Sequence, residues 1–150
     1  MGIKKINRIN SLLLIAVIFI FESCSHTNER HIGEWKGIAK DETVSLILDK
    51  SNHAIFMADT QVIGGKGFEL KGVKTEVKYE IDYSKNPIWL DLVFYVQGKS
   101  QEKVRFKGII QFITDNKIVY RVNLDPASKR YDTFDPEDKE NTFVFDKVTN

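Results

Sequence analysis

The chain has 150 residues, of which 42% are hydrophobic and 29% charged, and its formal net charge is +1. This length is typical of one domain, the low Gly and Pro content excludes a low-complexity or collagen-like chain, and the near-neutral charge gives no electrostatic basis for nucleic acid as a partner. The single cysteine excludes an intrachain disulfide framework and a multi-cysteine metal site.

The N-terminal segment predicts an export signal. Lys4, Lys5 and Arg8 precede an apolar run from Leu12 to Phe21. That run has about ten residues, which is too short for a membrane-spanning helix and typical of a signal peptide. Cys24 follows immediately after Ser23, and the stretch 21–24 resembles a relaxed form of the lipobox, in which the cysteine of a bacterial lipoprotein is acylated.

The resemblance implies that residues 1–23 are a cleaved lipoprotein signal peptide and that acyl chains on Cys24 hold the protein to a membrane without spanning it. Residues 24–31 then form a polar tether, and the periplasmic face of the cell envelope is the expected location. The alternative is an ordinary secreted protein with a free thiol. We favour lipidation because an exposed unpaired thiol is a liability in an oxidising compartment.

From Trp35 onward, period-two alternation predicts an all-β domain over residues 32–150. Short links between strands favour an antiparallel barrel of about eight or nine strands. The clearest part is a hairpin in which residues 73–83 are followed by a turn at Pro87 and a strand over 88–96. A four-residue turn would place these pairs on the buried face: Tyr83–Ile88, Ile81–Leu90, Tyr79–Leu92 and Val77–Phe94.

The same register predicts a solvated outer face. Glu80 lies opposite Asp91 there, and we expect Lys78 to offset the repulsion between the two carboxylates. Trp89, Val93 and Tyr95 alternate to that outer face as well.

The other strands follow the same alternation. Val44 to Leu48, Val104 to Phe112, Ile118 to Leu124 and Phe143 to Phe145 each have one apolar face. Gly108 in the middle of a strand predicts a bend or bulge, whereas the inner face of residues 53–57 is left open by the pattern. The connection from Asp125 to Glu140 is long, and we expect a partly ordered flap across one end of the barrel.

Several motifs resemble those of small secreted bacterial lipocalin-like domains. Gly33-Glu34-Trp35 resembles the G-x-W start of lipocalin-type barrels, and residues 79–92 are similar to the central signature of the family. Arg130 and residues 143–148 resemble its closing part, although Tyr131 stands where a Pro is usual. The resemblance covers residues 32–148 and implies an up-and-down barrel with a cavity, without catalytic residues. It gives structural roles to four residues: Trp35, Pro87, Gly108 and Arg130.

The sequence offers little for catalysis or metal binding. His26 and His31 lie in the tether, where a metal would lack a rigid frame, and His53 is the one histidine of the barrel body. The carboxylates of Glu76, Glu80, Asp82 and Asp91 fall on the predicted outer face. We therefore expect no enzyme, no cofactor and no metal site.

A small apolar or amphiphilic ligand is the favoured partner, because an eight-stranded barrel has room for one. The candidate cavity residues are Tyr79, Tyr83, Leu92, Phe94, Phe106 and Tyr120. The alternative is a filled barrel that acts as a scaffold or interaction module for another envelope protein, with the outer stripe of Trp89, Val93 and Tyr95 as its contact surface. A cavity of several hundred Å³ would favour the first of these functions.

Overall fold

The computed structural model describes residues 29–58, 61–65 and 67–149. The predicted signal peptide, Cys24 and most of the predicted tether lie outside these residues. The prediction of an all-β antiparallel domain is confirmed for the described part. No helix in that part is long and apolar enough to cross a membrane.

Eleven strands form one curled antiparallel sheet within the described residues. In chain order they are β1 (Gly33–Ala39), β2 (Glu42–Leu48), β3 (Ala54–Ala58), β4 (Gln61–Gly64), β5 (Glu69–Leu70), β6 (Val73–Asp82), β7 (Ile88–Val96), β8 (Glu102–Phe106), β9 (Gly108–Thr114), β10 (Lys117–Val122) and β11 (Thr142–Lys147). Their spatial order is β4-β3-β2-β1-β11-β10-β9-β7-β6-β5, and β8 also pairs with β7.

The sheet curls into a half-barrel whose two ends approach each other. β3 and β6 meet at an isolated antiparallel bridge between His53 and Lys78. The Tyr79 N–H donates to the Asn52 carbonyl over 2.8 Å, and His53 Nε2 lies 2.5 Å from a carboxylate oxygen of Glu76. We call this narrow contact between β3 and β6 the seam.

The predicted hairpin is confirmed in its register. Ile81 pairs with Leu90, Tyr79 with Leu92 and Val77 with Phe94, and the apolar side chains of these pairs face the core. The alternation fixes this register because a shift by one residue would expose the whole apolar set. The structure also settles the face left open for residues 53–57, since Ala54 and Phe56 point inward.

The predicted strand count was too low. Residues 102–114 form two strands, β8 and β9, which separate at Lys107, and two short strands, β4 and β5, flank the glycines that follow Ile63. Both β8 and β9 pair with β7. The interruption between β8 and β9, just before Gly108, lets the chain bend while it stays beside β7.

A buried carboxylate holds this bend from outside the sheet. Asp91 is only 4% exposed, and it accepts hydrogen bonds from the Gly108 N–H (3.1 Å) and from both terminal nitrogens of Arg130. Arg130 also donates to the Gly108 carbonyl over 2.6 Å. Asp91 and Arg130 together therefore supply hydrogen-bond partners to the N–H and to the carbonyl of Gly108 at the bend.

The expectation of a solvated outer face around Asp91 was wrong. Arg105 donates to Glu80 over 2.7 Å and to Asp91 over 3.0 Å, so a guanidinium separates the two carboxylates that face each other. Lys78, expected in this role, lies 3.5 Å from Glu76 instead. Burial raises the pKa of Asp91, but the hydrogen bonds from Arg130, Arg105 and Gly108 outweigh it, and the net pKa is lowered.

From the sequence we expected the connection between β10 and β11 to form a flap across one end of the barrel, and this expectation was wrong. The connection packs along the outer wall, where the Arg130 guanidinium lies 4.1 Å from the centre of the Trp89 ring. Arg121 donates to the Thr133 carbonyl (2.9 Å) and to Asp138 (2.8 Å) and fixes the second half of the connection. Only its last residues reach the barrel end.

We expect Asp91→Asn to lower the free energy of unfolding at neutral pH by about 3 kcal/mol, because the half-buried Arg130 loses its ion-pair partner and Arg105 keeps only Glu80 and Glu102. The folded-state pKa of Asp91 lies below its unfolded value of about 3.9. Its contribution is therefore present above pH ~4 and is lost as the pH falls through the folded-state pKa. Urea unfolding of both proteins should give curves that differ at pH 7 and converge in acid. Glu69→Gln, which removes the charge of an exposed carboxylate on β5, is the control and should change the free energy of unfolding by less than about 0.5 kcal/mol. An equal effect of the two variants would contradict this account.

Candidate functional site

A cavity of about 450 Å³ opens at one end of the half-barrel. It lies where β1 ends and β2 begins, and we call this end the mouth. The side chains that line its interior are apolar and come from strands on both sides of the half-barrel: Val44, Phe56, Leu92, Phe94, Phe106 and Phe143.

Three of the six residues predicted for the cavity line it. Leu92 and Phe94 on β7 and Phe106 on β8 face this space, and the rings of Phe94 and Phe106 meet edge to face with centroids 5.0 Å apart. The other three candidates, all tyrosines, lie elsewhere.

Tyr79 and Tyr83 bind His31 at the opposite end of the half-barrel, which we call the plugged end. Tyr79 Oη donates to the Asp49 carbonyl (2.7 Å), so it accepts from His31 Nε2 (3.1 Å). The Nε2–H tautomer leaves Nδ1 as the acceptor for the Tyr83 hydroxyl at 2.7 Å. Burial raises the pKa of Tyr79 and that of Tyr83 to about 12 each. Both hydroxyls therefore stay protonated, and able to donate, to a higher pH than an exposed tyrosine would.

Tyr120 lies in the core and does not line the cavity. It is fully buried, and its hydroxyl donates to the Leu90 carbonyl over 3.3 Å. Burial raises its pKa strongly. Gly108 makes room for this ring, because a Cβ at that position would lie 2.6 Å from a Tyr120 ring carbon and 2.5 Å from the Leu90 oxygen.

Trp35 completes the packing of the plugged end. Its ring is fully buried, its Nε1–H donates to the His31 carbonyl over 2.8 Å, and the Lys147 ammonium lies 5.0 Å from the ring centre. Pro87, in the turn before β7, follows a cis peptide bond and lines a surface depression beside the plugged end with Arg30 and Phe112.

The two ends differ in how their interiors are filled. At the plugged end, the Trp35 ring contacts His31, which Tyr79 and Tyr83 hold by hydrogen bonds. The mouth is lined by Ala39 and Ala58 as well as by four phenylalanines, and it keeps open space.

Charged groups surround the mouth. Lys40, in the turn between β1 and β2, donates to Glu140 at the end of the outer connection over 2.7 Å. Lys139, Glu42 and Gln61 lie on the same rim. The cavity thus combines an apolar interior with polar groups at its opening, which is the usual composition of a small-molecule site.

Sequence reasoning missed the rim and half of the lining. Phe56 and Ala58 were not assigned because the alternation of β3 is ambiguous. Lys139 and Glu140 belong to the long connection, whose path no local pattern fixes. The described residues contain no group of three or more His, Cys, Asp or Glu side chains that could hold a metal ion.

Comparison of the chain with known protein families, with curated proteins and with solved structures finds no significant match.

Proposed function

We propose that the protein is a bacterial lipoprotein of the cell envelope, anchored through acyl chains on Cys24, whose lipocalin-like domain binds a small apolar or amphiphilic ligand in the cavity at the mouth. The cavity carries this proposal. Its volume of about 450 Å³ lies within the range of ~300–1,000 Å³ typical of ligand pockets.

The strand order supports the lipocalin-like part of the proposal. Sequential strands are neighbours along most of the sheet, and β1 pairs with β11, as expected when a meander curls on itself. Trp35 in the first strand is buried at the plugged end, which is the place that the G-x-W resemblance implies for it.

The alternative, a filled barrel that docks another envelope protein, has less support. The cavity argues against a filled barrel. The outer stripe on which this alternative depended is interrupted, because Val93 is fully buried. Trp89 is 38% exposed, and the Arg130 guanidinium and the Lys85 ammonium lie 4.1 Å and 5.0 Å from its ring centre.

Filling the cavity with a large side chain should weaken ligand binding. We expect Ala58→Trp to weaken binding of the probe 1-anilinonaphthalene-8-sulfonate by about 10-fold or more, or about 1.4 kcal/mol, because the indole occupies the space between Phe56 and the β7 side chains. Fluorescence titration of the full chain measures this change. Ala127→Trp, in an exposed part of the outer connection, adds the same ring elsewhere and should leave the affinity unchanged. Equal affinity of the two variants would refute the cavity as the binding site.

The anchor has an independent test. We expect Cys24→Ser to block incorporation of radiolabelled palmitate in a bacterial host and to release the protein from the membrane fraction, because serine cannot form the thioether to which the acyl chains are attached. Ser23→Ala, one residue earlier, keeps a small side chain and should remain labelled. Unchanged labelling of the Cys24→Ser protein would exclude lipidation at this cysteine.

A further inference from the structure

A second apolar space lies on the outer side of the same rim. This outer groove has a volume of about 400 Å³, and its floor is formed by Ile38, Val119 and Val144, with Phe134 and Pro136 on its wall. Ile38 is 76% exposed and Val144 49% exposed. Exposed apolar side chains that adjoin one another in a groove mark a binding surface more often than isolated ones do.

The outer groove and the cavity adjoin at three residues. Ala39, Lys40 and Lys139 line both spaces. Successive side chains of a strand point to opposite faces, so Ile38 faces the outer groove while Ala39 faces the cavity. An apolar surface therefore continues from the inside of the half-barrel to its outside across the short side chain of Ala39.

Two lysines stand where the spaces adjoin. Lys40 is paired with Glu140, but both side chains are more than half exposed, and such surface pairs contribute little to stability. The Lys139 ammonium has no ion pair or hydrogen bond among the described residues. Ammonium groups bind phosphate oxygens well, and an anion at this position could compete with Glu140 for Lys40 at little cost.

We propose that the cavity and the outer groove form one site for a two-chain anionic amphiphile. One apolar chain occupies the cavity, the second lies in the outer groove over Ile38 and Val144, and the phosphate group sits between Lys40 and Lys139. This inference rests on the proposed function, because it requires the cavity to be the ligand site.

The second chain is the part of the ligand that the outer groove specifies. Each methylene removed from water stabilises a complex, so burial of even part of a second chain should raise the affinity measurably. A one-chain ligand would fill the cavity and leave the outer groove exposed. The difference in affinity between a two-chain and a one-chain probe, with the same head group and chain length, therefore measures the contribution of the outer groove.

The test compares two probes on the full chain in detergent, with native mass spectrometry to count bound lipid. The probes are phosphatidic acid with two ten-carbon chains and lysophosphatidic acid with one. We expect the two-chain probe to bind about 10-fold more tightly or better, at one molecule per protein. Ile38→Asn, and independently Val144→Asn, should reduce its affinity to that of the one-chain probe and leave the one-chain affinity unchanged, because these changes remove apolar surface without adding a charge near the phosphate.

Matched controls isolate each part of the site. Ile113→Asn, at a residue that is 51% exposed and lines neither space, should change neither affinity. Lys139→Ala should weaken both anionic probes while sparing a diacylglycerol with the same chains. Inorganic phosphate at the probe concentration should not compete, since it lacks the apolar chains.

The outcomes separate the two proposals. Equal affinity of the unmodified protein for both probes, or equal weakening of both by Ile38→Asn, would overturn the two-chain site and leave the proposed function in place. If neither probe binds, and if the Ala58→Trp variant binds 1-anilinonaphthalene-8-sulfonate as tightly as the unmodified protein does, both the two-chain site and the proposed function are overturned.

Discussion

The bidentate contact between Arg130 and Asp91 connects the three parts of this fold. It joins β7 to the long outer connection, and through the Gly108 backbone it also fixes the bend between β8 and β9. A carboxylate buried on the outer wall of a sheet is costly unless it is fully paired, and here two guanidinium groups and one N–H supply the partners. Because the bend lets one stretch of chain pair with β7 along most of its length, the curvature that encloses the cavity depends on this contact.

The two ends of the half-barrel differ in how their interiors are occupied. At the plugged end, hydrogen bonds join His31 to Tyr79 and Tyr83, and the Trp35 ring donates to the His31 carbonyl, so that the ring polar atoms are paired with one another or with backbone. At the mouth, alanines and phenylalanines surround open space and charged groups stand around the opening. Paired polar groups at one end and unfilled apolar surface at the other make the mouth the end where a small molecule would find room.

Local patterns in the sequence predicted the parts of this structure that depend on local geometry. The register of β6 against β7 followed from alternation and from a turn of known length, and Gly108 followed from the conflict between glycine and a strand interior. The burial of Asp91 could not be predicted in this way, because its partner Arg130 lies 39 residues further along the chain. The same limit applies to the site. Leu92, Phe94 and Phe106 lie on clearly amphipathic strands, whereas Ala58 lies on an ambiguous strand and Lys139 on a long connection.

The seam closes the half-barrel beside Tyr79, at the plugged end. β1 and β2 share a ladder of seven residue pairs, and β6 and β7 share one of eight. Between β3 and β6 the wall is held by one bridge, one backbone hydrogen bond from Tyr79 to Asn52, and the contact of His53 with Glu76. Closure at this end therefore depends on a few individual contacts, and the loss of any one of them would remove a large share of what joins β3 to β6.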